Sequence, residues 1–459
     1  MTRSGAPSLL SLTTRFLVLL GLIGRAAWIW LVIVLDSRGI VRSTPGALVE
    51  RQVRFARRFV AVANRFKGGL IKLGQVASLR VDVLPEEVSD ELARLQDRVA
   101  PHAVEEIRAQ IEAELGRPLE EVFARFENEP LAAASLGQVH EAELHSGERV
   151  AVKVLYPAVE RSVAIDLVAA RIGLWLFDWV TVADLGQVHK ELAESIHGEM
   201  DYEREGRAAE EVARNLSRDP EVAAHVRIPE IHWEATARRV LTMEFLDGCK
   251  VNDAEGVEAR GRDAESLVVW ATRAFLHMMF RDGFFHCDPH PGNLLVCDDG
   301  RLGIIDFGMN KRIEPAVMNM LRESLLSTVS RDERRYADAL LAAGMIDPRD
   351  REAVEALLRI SFSPEYWNLT PKEVAEIDFS VYLRRMRSQL KNIRSFRLPD
   401  GLVMWSRALT LLLGLATELA PGIRPLDVVG PYVVTFLAGD LPGSPPEAGV
   451  AYSPAPSAR

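Results

Sequence analysis

The chain has 459 residues, 48 % of them hydrophobic and 26 % charged, the balance of a folded protein with a sizeable core, divided into two or three domains or one large bilobal domain with extensions. Its 55 basic and 65 acidic residues leave a net charge of −10, which argues against a general affinity for nucleic acid. The three cysteines, Cys249, Cys287 and Cys297, have no Cys-x-x-Cys spacing, which argues against a disulfide framework or structural zinc and fits a reducing cytosolic environment.

The first segment, residues 1–44, contains "FLVLLGLIGRAAWIWLVIVL" (16–35), with Arg25 as its one charge. That length can span a bilayer, and a central Arg costs about 2.5–3.5 kcal/mol on insertion scales, which the surrounding Leu, Ile and Val can offset. A buried or surface-lying apolar helix is the competing reading. Arg38, Arg42, Arg51, Arg54, Arg57 and Arg58 follow, so the rest of the chain is expected on the cytoplasmic face of a membrane, held peripherally or by a single N-terminal span. No small-residue cleavage site follows the run.

Residues 45–129 read as a helical extension, amphipathic with few breakers other than Pro85, Pro101 and Pro118. From 130 to 250, "QVHEAELH" (138–145), "ERVAVKVLYP" (148–157) and "RRVLTMEFL" (238–246) read as strands, with a long helical stretch over 186–216. Residues 251–440 form the second lobe, mainly helical from 264 onward apart from residues 284–308, and "MWSRALTLLLGLATELAP" (404–421), interrupted by Arg407 and Glu418, reads as a core helix. The tail, 441–459, rich in Pro, Ala, Ser and Gly, is expected to be disordered.

The chemistry concentrates in "FFHCDPHPGNLLVCDDGRLGIIDFG" (284–308). Asp288-x-x-x-x-Asn293, with His286 ahead of it, has the spacing of a protein-kinase catalytic loop, and Asp306-Phe307-Gly308 follows at the right distance. "NLLVCDDG" and "RLGII" read as a hairpin turning at Asp298-Asp299-Gly300, which would bring Asn293 and Asp306 to one end. An amide oxygen and a carboxylate there can share Mg²⁺ bound to nucleotide phosphates, with Asp288 facing the γ-phosphate. A plain polar hairpin is the alternative. Upstream, Val150, Val152 and Val154 share one strand face, and Lys153 lies on the other, suited to the α- and β-phosphates or simply solvated. Its partner is expected on the acidic helix, where Glu205 lies one turn beyond Asp201, with Glu199 nearby. Where kinases place a glycine-rich loop, "PLAAASLGQVH" offers Ala132, Ala133, Ala134 and Ser135. Such a loop is expected to be stiff because alanine disfavours positive φ. Lys72 and Gln75 of "KLGQ" read alone as a solvated helix end.

Together these pieces closely resemble the UbiB/AarF (ADCK) family of atypical kinase-like proteins. The carriers are "KLGQ", "LPEEVSDELARLQDRV", "AAAS" with "GQVH", "VAVK", "EMD" with Glu205, "MEFLDG", "HCDPHPGN" and "DFG", in family order over about residues 67 to 308. Cys287 departs from the more usual small alanine. The resemblance implies an α+β, protein-kinase-like two-lobed fold with a helical N-terminal extension, using ATP and Mg²⁺. It implies that Lys153 contacts phosphates, Glu205 fixes it, Asn293 and Asp306 bind metal, and Asp288 is the catalytic acid. The adenine hinge would run from Glu244 to Leu246. Lys72 and Gln75 would pack over the site and meet Glu199 and Asp201, obstructing a protein substrate and favouring ATP hydrolysis or a small acceptor. Expected partners are a membrane lipid or isoprenoid-quinone precursor and quinone-biosynthesis proteins. The alternatives are a small-molecule phosphotransferase of the aminoglycoside- or choline-kinase type, or a non-catalytic nucleotide-sensing scaffold. His286 and His290 are read as hydrogen-bonding scaffold rather than metal ligands.

Overall fold

The computed structural model describes residues 9–41, 44, 46–78, 85–93, 95, 101–177, 185–362, 393, 399–420, 422 and 425–438. The expected disordered tail, 441–459, and parts of the "LPEEVSDELARLQDRV" motif lie outside them.

In chain order the elements begin with helices α1 (Leu9–Ser37), α2 (Ala47–Phe66), α3 (Gly69–Ser78), α4 (Glu86–Ala93), α5 (Val104–Leu115) and α6 (Leu119–Val122). Strands β1 (Phe123–Ala133), β2 (Gly137–Leu144) and β3 (Arg149–Leu155) follow, then α7 (Val159–Phe177), α8 (Leu185–Glu199), α9 (Tyr202–Leu216), α10 (Pro220–His225), β4 (Val226–Arg227) and β5 (Val240–Glu244). Next come β6 (Gly248–Lys250), α11 (Ala254–Ala259), α12 (Ala264–Leu276), β7 (Phe284–His286), β8 (Leu294–Cys297), β9 (Leu302–Ile304) and β10 (Asn310–Arg312). The last described helices are α13 (Pro315–Ser330), α14 (Glu333–Ala342), α15 (Arg351–Ser361), α16 (Asp400–Leu419) and α17 (Pro425–Ala438).

The chain divides into two compact units. The first comprises Met1–Glu210, Pro229–Leu246 and Asp306–Met309. It holds a four-stranded antiparallel sheet in the order β1-β2-β3-β5. The alternation of β3 sends Val150, Val152 and Val154 into the core, each fully buried, and turns Lys153 to the other face. The helical stretch expected over 186–216 breaks at Met200–Asp201. Asp201 caps α9, its carboxylate accepting from the Arg204 amide at 3.0 Å, so it does not share a helix face with Glu205 as the spacing suggested.

Helix α1 packs against α2 and α7 through Arg15, Leu19 and Leu22, spaced as one helix stripe. Arg15 grips Asp166 of α7, with Nε to Oδ1 at 2.6 Å and Nη2 to Oδ2 at 2.5 Å. It also donates to the terminal carbonyls of α2, Phe66 O and Lys67 O, each at 2.8 Å. A guanidinium there satisfies helix-end acceptors and complements the dipole.

The second unit comprises Glu211–Ile228, Asp247–Ile305 and Asn310–Arg459. Its sheet runs β4-β9-β8-β6, and β7 pairs with β10 in a two-stranded ribbon. The β8–β9 hairpin pairs Leu294 with Ile304 and turns at Gly300, whose φ of 82° suits glycine. Helices α12, α13, α16 and α17 pack together, α12 starting on an Asp263 cap that accepts from the Ser266 amide at 2.7 Å.

Candidate active site

In the first unit, Lys153 Nζ donates to both oxygens of Glu205, at 2.8 and 3.0 Å, and to Asp306 Oδ2 at 3.4 Å. The Tyr202 ring stands 5.1 Å from the same ammonium. Glu205 projects from the first turns of α9 and is 3 % exposed. Burial pushes its carboxyl up, with Lys153 pulling it back. For Lys153 burial acts downward, but the carboxylates of Asp306 and Glu205 outweigh it and hold the ammonium well above the usual lysine range. The lysine is therefore a fixed, oriented cation.

The backbone after Asp306 is tied to the same cluster. The Phe307 amide donates to Glu205 Oε1 at 3.3 Å, and the Gly308 amide to Asp306 Oδ1 at 2.9 Å. A Cβ on Gly308 would lie 3.6 Å from Glu205 Oε2 and 3.9 Å from Glu199 Cγ. Glu199, the last residue of α8, receives Lys72 Nζ of α3 at 2.8 Å. An ion pair from the helical extension thus lies against the Asp306-Phe307-Gly308 backbone. Gln75 lies on α3, and its side chain is outside the described residues.

The alanine segment forms the tight end of the β1–β2 hairpin. Ala132 and Ala133 close β1, the Ala134 amide donates to Gly137 O at 2.8 Å, and Ser135 is buried. None of residues 132–137 has a positive φ, so alanine fits without strain. Glycine is needed at 137 for close approach, since a Cβ there would come within 2.4 Å of Val154 O and 2.7 Å of Tyr202 Oη. Glu244 ends β5 opposite Val150, and the Pro229–Leu246 segment of the first unit closes on the buried Leu246.

In the second unit, Asp288 follows β7, and Asn293 ends a short 3-10 turn, Pro291–Asn293. Asn293 Nδ2 donates to Asp288 O at 3.2 Å, leaving the amide oxygen as the end open to a cation. The Ile305 amide bonds Asn293 O at 3.1 Å, closing the hairpin. His286 Nδ1 accepts from the Asp288 amide at 2.9 Å, and His290 Nδ1 accepts from the Gly292 amide at 3.0 Å, so both serve the loop backbone. Cys287 is buried, with its thiol on Phe285 O. No group of three or more His, Cys, Asp or Glu suited to a metal stands together among the described residues.

Two contacts escape the motif reading. Tyr202 flanks Lys153, and Arg407 Nη2 of α16 reaches Asp288 Oδ1 at 3.3 Å. For the second, the sequence offered an arginine interrupting an apolar helix at the head of "RALTLLLGLATELAP", which resembles the family's C-terminal helices, and nothing that tied it to Asp288.

A family model described as the ABC1 atypical kinase-like domain matches residues 94–340, more than half of the chain. An uncharacterised Synechocystis protein, sll0005, is 35 % identical over 375 residues, covering 81 % of this chain and 54 % of its own length. The chloroplastic ACTIVITY OF BC1 COMPLEX KINASE 7 of Arabidopsis thaliana is 33 % identical, over 80 % of this chain and 52 % of its own. A Marinobacter nauticus protein named probable protein kinase UbiB is 32 % identical, over 80 % and 67 %. The chain spans about half to two thirds of the length of these curated relatives. With the ABC1 model and the UbiB relatives agreeing, the chain belongs to the UbiB/AarF family of ABC1 atypical kinase-like proteins.

Proposed function

We propose that the chain is an ATP- and Mg²⁺-dependent atypical kinase or ATPase supporting isoprenoid-quinone or membrane-lipid metabolism at the cytoplasmic face of a membrane. The observation that carries the reading is Lys153 held by Glu205 and Asp306. A strand lysine fixed by a helix carboxylate neutralises the α- and β-phosphates of a nucleotide, and catalysis of phosphoryl transfer is mostly such positioning and charge stabilisation. The residues also fit Mg²⁺. Asp306 in the first unit offers a carboxylate and Asn293 in the second an amide oxygen, each by itself a hard donor of the kind this ion takes, and the Asn293 amide nitrogen is already spent on Asp288 O. When bound, the ion neutralises charge on the phosphate oxygens. Asp288 orients the attacking hydroxyl or water.

The Lys72–Glu199 pair favours hydrolysis or a small acceptor over a protein substrate, because the helical extension lies against the Asp306-Phe307-Gly308 backbone. The test is MgATP hydrolysis with and without anionic liposomes, for wild type and Asp306→Asn. Turnover by wild type and its loss in Asp306→Asn is the expected result. Nucleotide binding without turnover in either condition would leave a non-catalytic sensor instead.

A further inference from the structure

The acid assigned to the catalytic loop has a neighbour to which the sequence assigned no role. Arg407 lies on α16, and its Nη2 donates to Asp288 Oδ1 at 3.3 Å, the two side chains being 23 % and 28 % exposed. Helix α16 is seated by its packing on α12 and β10, with Gly401 at its start close against Arg312 O and Ile313. A guanidinium can grip both oxygens of a carboxylate side by side. Arg407 does not. It makes one long bond to one oxygen, and its Nε is buried without an acceptor among the described residues. Oδ1 of Asp288 is therefore engaged, and Oδ2 receives nothing from the arginine.

We propose that Arg407 is a positioning residue for Asp288, fixing the carboxylate so that Oδ1 faces α16 and Oδ2 is presented to the nucleophile. The inference rests on the phosphoryl-transfer reading above. In that reaction the oxygen of water or an acceptor hydroxyl bonds to the γ-phosphorus. The bond from phosphorus to the β–γ bridging oxygen breaks, its electron pair leaving on ADP, and the nucleophile's proton passes to Oδ2. Without Arg407 the carboxylate rotates freely, and the nucleophile loses its fixed partner while the nucleotide is bound as before.

The test compares MgATP hydrolysis by wild type, Arg407→Ala, Arg407→Lys, Asp288→Asn and the Arg407→Ala/Asp288→Asn double variant. Arg407→Ala should lower kcat about tenfold to a hundredfold, the scale of a misplaced reacting group, with KM for ATP within about twofold. The double variant should be no slower than Asp288→Asn, because the arginine acts through that carboxylate. Methylguanidine at low concentration should restore part of the kcat of Arg407→Ala and none of the double variant's, which a structural defect would not show. Lysine, keeping the charge but not the planar fork, should fall between wild type and alanine. Unchanged kcat in Arg407→Ala, or independent losses that add in the double variant, would overturn the proposal. If wild type hydrolyses no ATP, the enzymatic reading fails by itself. The pairing is then judged by thermal unfolding of the same four-member cycle, where purely additive midpoint shifts would overturn it.

Discussion

Lys153 and Glu205 form a buried pair in which each group's state depends on the other. Glu205 sits at 2 % side-chain exposure, and its carboxyl is already pushed up by burial. In Lys153→Met the main opposing influence disappears, and burial pushes the carboxyl higher still. A carboxyl whose folded pKa is raised gives stability below its unfolded value, here 4.5, and that stability is lost as pH rises through the folded pKa. The thermal midpoint of Lys153→Met should therefore fall from about pH 5 to about pH 8 by more than that of wild type, and adding Glu205→Gln should flatten the profile. A Lys153→Met profile parallel to wild type would show that Glu205 is not the titrating group. Lys153, Glu205 and Asp306 were legible because each stands in a motif of fixed spacing. The role of Arg407 was not, since no spacing ties it to Asp288 and only the packing of α16 brings the two together.

At the scale of elements, the strands were legible where burial has a period of two. In β3 the valines alternate with Arg149, Ala151 and Lys153, and the expected strand matches the observed one to within two residues. The break between α8 and α9 was missed because Asp201 reads as one more acid on an acidic helix. Only its bond to the Arg204 amide reveals a cap. The docking of α1 was also out of reach, because its partner Asp166 is 151 residues away. That contact supports a prediction. Arg15→Met strands Asp166, which is fully buried, and breaking such a pair costs about 3–5 kcal/mol. Arg15→Met/Asp166→Leu should recover most of the loss, since an apolar pair of similar volume is tolerated there. It should not recover all of it, because Phe66 O and Lys67 O still lose their donor. Chemical denaturation of the three variants measures both steps.

For the molecule as a whole, the open question in the sequence was whether the first apolar helix crosses a bilayer or lies on it. Leu12–Asp36 is long and apolar enough to cross. In the first unit, however, α1 gives one stripe, from Arg15 through Leu22 to Ala26, to α2, α3 and α7. Lipid cannot surround a helix already occupied on that side. Burial continues on α1 as far as Val32, at 7 % exposure, so no uncovered stretch of the helix approaches the roughly 30 Å of a hydrocarbon core. The docked stripe favours a peripheral placement of α1, which the following measurement tests against a span. Its outward side carries Leu17, Trp28 and Leu31, at 61 %, 63 % and 40 % exposure, and α7 adds Val168 and Trp175. Arg25, Arg161 and Arg171 are exposed on the same two helices, and none meets a carboxylate among the described residues. Exposed tryptophans beside arginines suit the headgroup region of an anionic bilayer, with the apolar side immersed and the helix in the interface plane. The expectation is flotation with anionic but not neutral vesicles, release by high salt or alkaline carbonate, and quenching of tryptophan fluorescence by lipids brominated near the headgroup. Trp28→Ser/Trp175→Ser should abolish both flotation and quenching while leaving thermal stability unchanged, since both side chains are exposed. Resistance to carbonate extraction would mean that Arg15 leaves Asp166 and α1 inserts across the membrane, and Arg15→Met should then bind more tightly than wild type rather than equally.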